Sequence, residues 1–292
     1  MQRRIAAALG YGPEEAEAVA PLVHISTTGD RVQDRRLLEI GGKALFTKEI
    51  EEALLAGAVD CAIHSMTDVP VDRQPGLIIA AIPEREDPRD AFISPTHGHF
   101  DALPQGARLG TASLRRQAQA LHRRPDLLPV LIRGNVDTRL AKLQRGEADA
   151  MILALAGLKR LGLQAAASDI LDPIAAPPAP GQGALAIETR IGDAGADWIQ
   201  ALVDRPATLA VAAERGALEA LEGSCRTAVG AHARLEGGDL LLVVEALTPD
   251  GAERFRREAR VAVDGEADAR ALGMDLGDQI RREGGDRLLL AL

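Results

Sequence analysis

The chain has 292 residues, of which 46% are hydrophobic and only 2% aromatic, and it carries a net charge of −9. Its cores must therefore be built from Leu, Ala, Val and Ile, and both the shortage of aromatic platforms and the acidity argue against a nucleic-acid or membrane-surface partner. No apolar run approaches a membrane-crossing length, the two cysteines and the absence of a secretory pattern in Met1 to Leu9 predict a cytoplasmic protein, and the length predicts two or three domains.

In chain order, Gln2 to Leu9 reads as a helix, Gly10 to Pro13 as a break, and Val19 to Ile25 as a strand ending in Ser26-Thr27-Thr28-Gly29-Asp30. Ile40-Gly41-Gly42-Lys43 is a glycine-pivoted loop entering a helix that runs to about Leu55. Ala58 to Met66 reads as a buried strand leading to His64-Ser65-Met66-Thr67-Asp68-Val69-Pro70, and Gly76 to Pro83 as another. The charged, proline-containing stretch Glu84 to Arg89 is a plausible first hinge.

Three strand-turn-helix units follow from Gly106. Ala107 to Gly110 leads through Thr111-Ala112-Ser113 into Leu114 to Arg123; Leu127 to Ile132 leads through Arg133-Gly134-Asn135 into Val136 to Leu143; Asp149 to Leu153 leads to a helix around Gly157 to Arg160. Such a succession predicts parallel strands with ligands at their carboxyl ends. Thr111 to Arg160 holds ten basic and four acidic residues in an otherwise acidic chain. Arg115, Arg116, Arg133 and Arg139 fall at or just past the strand ends, with Arg160 somewhat further along, which favours a site for a small polyanion over a merely solvated helix face. Arg123, Arg124 and Arg145 lie away from those ends.

Ala175 to Gly183 is too rich in Pro and Gly for a regular element, and Ala184 to Glu188 reads as a strand returning to the first lobe. Pro206 to Leu221 is a helix with an apolar stripe, stopped by Gly223. Cys225 follows, flanked by Arg226 and preceded by Arg215; neighbouring cations favour a thiolate, although a lone cysteine is more often a small buried hydrophobe. Strands Val229 to Leu235, Leu240 to Leu247 and Phe255 to Val263 and a helix from about Ala267 to Arg281 complete a smaller α/β unit. No His/Cys/Asp cluster has metal-ligand spacing, so no metal is expected.

The runs around Lys43 (Gly-Gly-Lys-Ala-Leu-Phe-Thr-Lys-Glu), His64 to Pro70, Arg85 to Phe92, Gly110 to Arg116, Arg133 to Arg139, Ala156 to Arg160, Pro180 to Gly183 and Glu222 to Cys225 resemble porphobilinogen deaminases (hydroxymethylbilane synthases), in the family's order over nearly the whole chain. The resemblance implies two hinged α/β lobes of periplasmic-binding-protein type, residues 1–84 with 184–201 and residues 89–178, plus a small α/β domain over residues 205–292. It further implies a cytoplasmic, monomeric transferase in which a dipyrromethane cofactor, joined by a thioether to Cys225, primes the polymerisation of four porphobilinogens into hydroxymethylbilane.

By motif position Lys43, Ser65, Asp68, Thr111, Ser113, Arg115 and Arg116 are the expected cofactor residues, and Arg133, Arg139, Arg160 and Gln182 the substrate residues. Each pyrrole brings two carboxylates, so a six-ring chain would carry about a dozen, which suits planar, permanently charged guanidinium groups. Asp68 is the expected catalytic group, stabilising the cationic azafulvene left by loss of ammonia and relaying protons. Thr67 stands where the family usually has lysine, and the sequence starts at about the family's first helix, so an opening strand with its Arg-x-Ser motif is expected to be absent from the first lobe's sheet. A second reading, from the binding class, is an inactive or cofactor-less homologue that closes on a polycarboxylate.

Overall fold

The computed structural model describes residues 1–28, 46–221 and 227–290, which build three sheets flanked by helices. Contacts divide the chain into one unit of Met1–Arg85 with Ala184–Thr208 and another of Glu86–Gly183 with Leu209–Leu292.

In the first unit, α1 (Gln2–Ala8) buries Ile5 and Ala6, and a short α2 (Ala16–Val19) follows. The strand expected over Val19 to Ile25 does not form: residues 20–27 take no regular element, and Leu22 and Val23 are each 62% exposed. A strand needs a neighbouring ladder for its backbone groups, and no described strand pairs with this segment. Helix α3 (Lys48–Leu55) packs Leu54 against β1 (Ala62–Ser65) and β2 (Leu77–Ala81). The strand β1 is shorter than the expected Ala58 to Met66. Residues 56–61 form a turn in which Gly57 takes a positive φ of 70°, and Arg190 donates to the Leu54 and Val59 carbonyls.

The second unit opens with β3 (Asp90–Ile93). Next come β4 (Arg108–Gly110), α4 (Leu114–Arg123), β5 (Leu128–Val130), α5 (Val136–Gln144), β6 (Ala150–Ala154), α6 (Leu155–Arg160) and β7 (Asp169–Ile170). The sheet order is β5-β4-β6-β3-β7. Its β5-β4-β6 part is parallel, as strand-turn-helix units require, but β3 runs antiparallel to both β6 and β7, so the sheet is mixed. Two apolar layers cover it, one around Leu109, Phe92 and Ile152 and one around Met151, Leu153 and Leu158.

The chain returns to the first unit as β8 (Leu185–Arg190), which takes the central place between β1 and β2, antiparallel to both. After α7 (Asp197–Gln200) the long α8 (Arg205–Ala220) leads to the C-terminal sheet β9 (Ala228–Glu236), β10 (Asp239–Leu247) and β11 (Arg254–Ala262). Alternate residues of this antiparallel sheet, among them Ala231, Leu240, Leu242, Val244 and Phe255, face α8 and α9 (Glu266–Gly284). Helices α8 and α9 cross closely, because a Cβ at Gly273 would fall on the backbone carbonyl of Ala213. The sheet's other side meets α4, where Leu114 and Ala118 pack on Ala228 and Leu247.

Candidate active site

The site builds from the carboxyl end of the parallel strands. After β4 the backbone turns through Thr111, whose hydroxyl accepts from the Ser113 N–H at 3.1 Å. Ser113 then caps α4 by accepting from the Arg116 N–H. These two hydroxyls, read from the sequence as cofactor contacts, shape the turn and keep their own O–H hydrogens to donate. After β5, Asn135 caps α5 in the same way, accepting from Thr138 N at 2.9 Å. Gly134 takes the turn at a φ of 118°, and its carbonyl accepts from Arg139 Nε at 2.6 Å.

The first residue of β3, Asp90, lies 2% exposed beneath the start of α4. Its Oδ2 accepts from Arg115 Nη1 at 2.7 Å; its Oδ1 accepts from Arg116 Nη2 at 2.8 Å, Arg116 Nε at 3.2 Å and Gln182 Nε2 at 2.9 Å. Burial would raise this carboxyl, but Arg115 and then Arg116 outweigh it and hold the group well below the usual carboxylate range. Removing one partner from such a buried set costs about 3–5 kcal/mol.

Arg115 is itself buried. Besides Asp90 it donates to Gln119 Oε1 at 2.9 Å, to the Pro177 carbonyl at 3.3 Å and to Gln182 at 3.5 Å, and burial lowers its pKa against the pull of Asp90. Gln182 is 4% exposed, donates also to the Pro88 carbonyl at 2.7 Å and accepts from Arg116 at 3.2 Å. Both side chains thus lie within the unit's interior network. Arg115 Nε is buried with no partner; Arg116 is buried too, and its Nη1 makes no hydrogen bond to any described residue.

Arg133 and Arg139 come from the neighbouring turn and α5. Burial lowers the Arg139 pKa, and repulsion from Arg116 and then Arg133 lowers it further, so the three guanidinium groups share one electrostatic neighbourhood. Arg133 Nη1 is buried with no hydrogen-bond partner. A buried guanidinium donor without an acceptor, amid like charges, suits a carboxylate ligand. Arg160, at the end of α6, is exposed and pairs with no described residue.

In the first unit Ser65 ends β1, its hydroxyl 3.1 Å from that of Thr67, and Asp68 is exposed on the 3-10 turn Met66–Asp68. The preceding His64 is buried 2.9 Å from Glu188 on β8. Lys43 and Cys225 lie outside the described residues. Among the described residues no group of three His, Cys, Asp or Glu side chains is placed to hold a metal.

Asp90, Gln119 and Glu245 escape the sequence reading. Asp90 sits in a motif quoted there, where the one available sign is an acidic residue opening an apolar strand.

Two family models cover almost the whole chain. One, "Porphobilinogen deaminase, dipyromethane cofactor binding domain", matches residues 2–197, and the other, "Porphobilinogen deaminase, C-terminal domain", residues 208–282. The chain belongs to the porphobilinogen deaminase family. Curated porphobilinogen deaminases of Caulobacter sp. (strain K31) and Phenylobacterium zucineum (strain HLK1) are 65% and 63% identical to it, over 99% of this chain and 92% and 93% of theirs. Porphobilinogen deaminase activity is that of a transferase in tetrapyrrole biosynthesis, joining four porphobilinogens to a dipyrromethane primer with loss of ammonia and release of hydroxymethylbilane; nothing found supports an inactive homologue. Among solved structures, a nutrient-binding protein of Burkholderia cenocepacia bound to methionine is 16% identical over 52% of this chain and 73% of its own, at a TM-score of 0.38.

Proposed function

We propose that Arg116, Arg133 and Arg139 of this deaminase hold carboxylates of the pyrrole chain, that Asp68 performs the chemistry, and that Cys225 carries the dipyrromethane. One observation carries the reading: a buried donor, Arg133 Nη1, has no acceptor, while burial and repulsion from Arg116 and then Arg133 disfavour the charge of Arg139. Nature tolerates that arrangement where an anionic ligand completes it.

The dipyrromethane supplies the primer to which substrate pyrroles are joined. Toward it we place Lys43, Ser65, Thr111, Ser113 and Arg116, with Arg115 as a buried support. Toward incoming porphobilinogen we place Arg133, Arg139 and Arg160, with Gln182 fixing the guanidinium groups from within. Asp68, exposed on its turn, accepts from pyrrole N–H groups and stabilises the cation left when the aminomethyl group departs as ammonia. Its carboxylate also relays a proton. The same reading takes the enzyme as a cytoplasmic monomer of two lobes, 1–84 with 184–201 and 89–178, and a third domain, 205–292. No described helix is long and apolar enough to cross a membrane.

Intact-protein mass and thiol titration test this. Purified enzyme is expected to carry the extra mass of two pyrrole units on Cys225 and to present a single, slowly reacting thiol, Cys61, whose pKa is pushed up by burial and then by Asp60. A bare sequence mass that porphobilinogen cannot increase, or a second free thiol in loaded protein, would overturn it.

A further inference from the structure

We infer that Asp90 is a positioning residue of the deaminase reaction, acting through Arg116; this rests on the reading that Arg116 meets carboxylates of the pyrrole chain. A guanidinium has five donors in a fixed plane, so holding one edge of it sets the direction of the other. Asp90 Oδ1 takes the Nε–Nη2 edge of Arg116, at 3.2 and 2.8 Å. Nη1, the remaining terminal nitrogen, is left without a partner among the described residues, on the side chain that repels Arg139. Unheld, a long arginine side chain would turn away from its like-charged neighbours.

Asp90 can act as an anchor because it is itself fixed. Its other oxygen is held by Arg115 Nη1, and Gln182 braces it by donating to both Oδ1 and the Pro88 carbonyl. Arg115 in turn is tied to Gln119, which donates to the Pro177 carbonyl and to Glu245 on β10. The carboxylate is thus locked through covalently distant groups on β3, α4, the Pro-rich segment and the C-terminal sheet, and it is ionised throughout the working pH range. Buried, it touches no ligand; its effect passes through Arg116, whose Nη1 has no partner among the described residues.

The test compares Asp90→Asn, Arg116→Gln and their double mutant, with Asp149→Asn as a control for lost stability. Asp149 pairs with Arg108 at 2.8 Å at the opposite end of the parallel strands from the arginine set. The readouts are the thermal melt, near-UV circular dichroism, the fraction of purified protein bearing the primer's mass, and the rate at which porphobilinogen loads the remainder. Asp90→Asn is expected to melt cooperatively at a lowered temperature yet load at least tenfold more slowly, and the double mutant to load no worse than Arg116→Gln alone, as expected for two residues acting as one. Asp149→Asn is expected to lose stability and load normally.

Normal loading of Asp90→Asn beside a defective Arg116→Gln overturns the role of Asp90 and leaves the reading of the site intact. Normal loading and turnover of Arg116→Gln overturns both. Multiplied defects in the double mutant show Asp90 acting apart from Arg116 and also overturn the inference. Should Asp90→Asn not fold, Asp90→Glu keeps the charge and displaces the carboxylate by one methylene; it is expected to fold and load slowly, and normal loading, or failure of both variants to fold, marks the role as structural only.

Discussion

Glu245 Oε1 accepts from Gln119 Nε2 at 2.8 Å, joining the middle of β10 to the outer face of α4. Glu245 is 1% exposed, and burial raises its pKa although Gln119, Arg254, Arg256 and Arg115 pull the other way. A carboxyl with a raised folded pKa contributes stability below its unfolded value, about 4.3, and loses it as pH rises through the folded value. Glu245→Gln is therefore expected to gain on the wild type in melting temperature as pH rises from about 4 to 8. A difference that stays flat over that range would show that burial does not govern this group.

Arg139 sits where burial and two neighbouring guanidinium groups disfavour its charge. Arg139→Leu removes that repulsion and loses the hydrogen bond to the Gly134 carbonyl, so its melting temperature is expected to stay within a few degrees of the wild type. A hydrogen bond to a charged group is worth about 1.5–3 kcal/mol, so KM for porphobilinogen is expected to rise roughly tenfold to a hundredfold. An unchanged KM in steady-state assays would remove Arg139 from the substrate set.

Asp68→Asn keeps the size of the side chain and takes away the negative charge and the proton acceptor. Turnover is expected to fall about 10²–10⁴-fold, the usual range for loss of a positioned acid–base group, while the protein still melts cooperatively. A loss within threefold in single-turnover assays would move the chemistry elsewhere.

Gly273 lies where α9 crosses α8, against the backbone carbonyl of Ala213, and no flexible side chain is there to yield. Gly273→Ala is expected to cost about 1–3 kcal/mol by overpacking despite alanine's better helix propensity. Denaturant unfolding would show it; a gain in stability would mean that the two helices separate freely.

Much of the fold is legible along the chain because the elements obey local rules. Ser113 and Asn135 each cap the helix that follows them, and α4 runs over Leu114–Arg123 as its pattern predicts. Val19 to Ile25 has an apolar strand pattern yet forms none, because a strand exists only beside another. The direction of β3 is likewise illegible: an acidic residue followed by the apolar Ala91–Ile93 gives no sign of it, and pairing with β6 decides that it lies antiparallel. At the site, the arginines announce themselves by their place at strand ends, but the depth at which each lies does not. Arg115 and Arg116 are adjacent in sequence and both buried, and only packing ties one to Asp90, Gln119 and Pro177 and leaves the other's Nη1 without a partner among the described residues.

The order of elements, the family and the basic character of one strand edge follow from the chain itself, since periodicity, caps and motifs are properties of neighbouring residues. Which charges neutralise each other was decided in three dimensions. Asp90 reaches Arg116 and Gln182 across separations of 26 and 92 residues, and burial makes the strength of those pairings depend on everything packed around them.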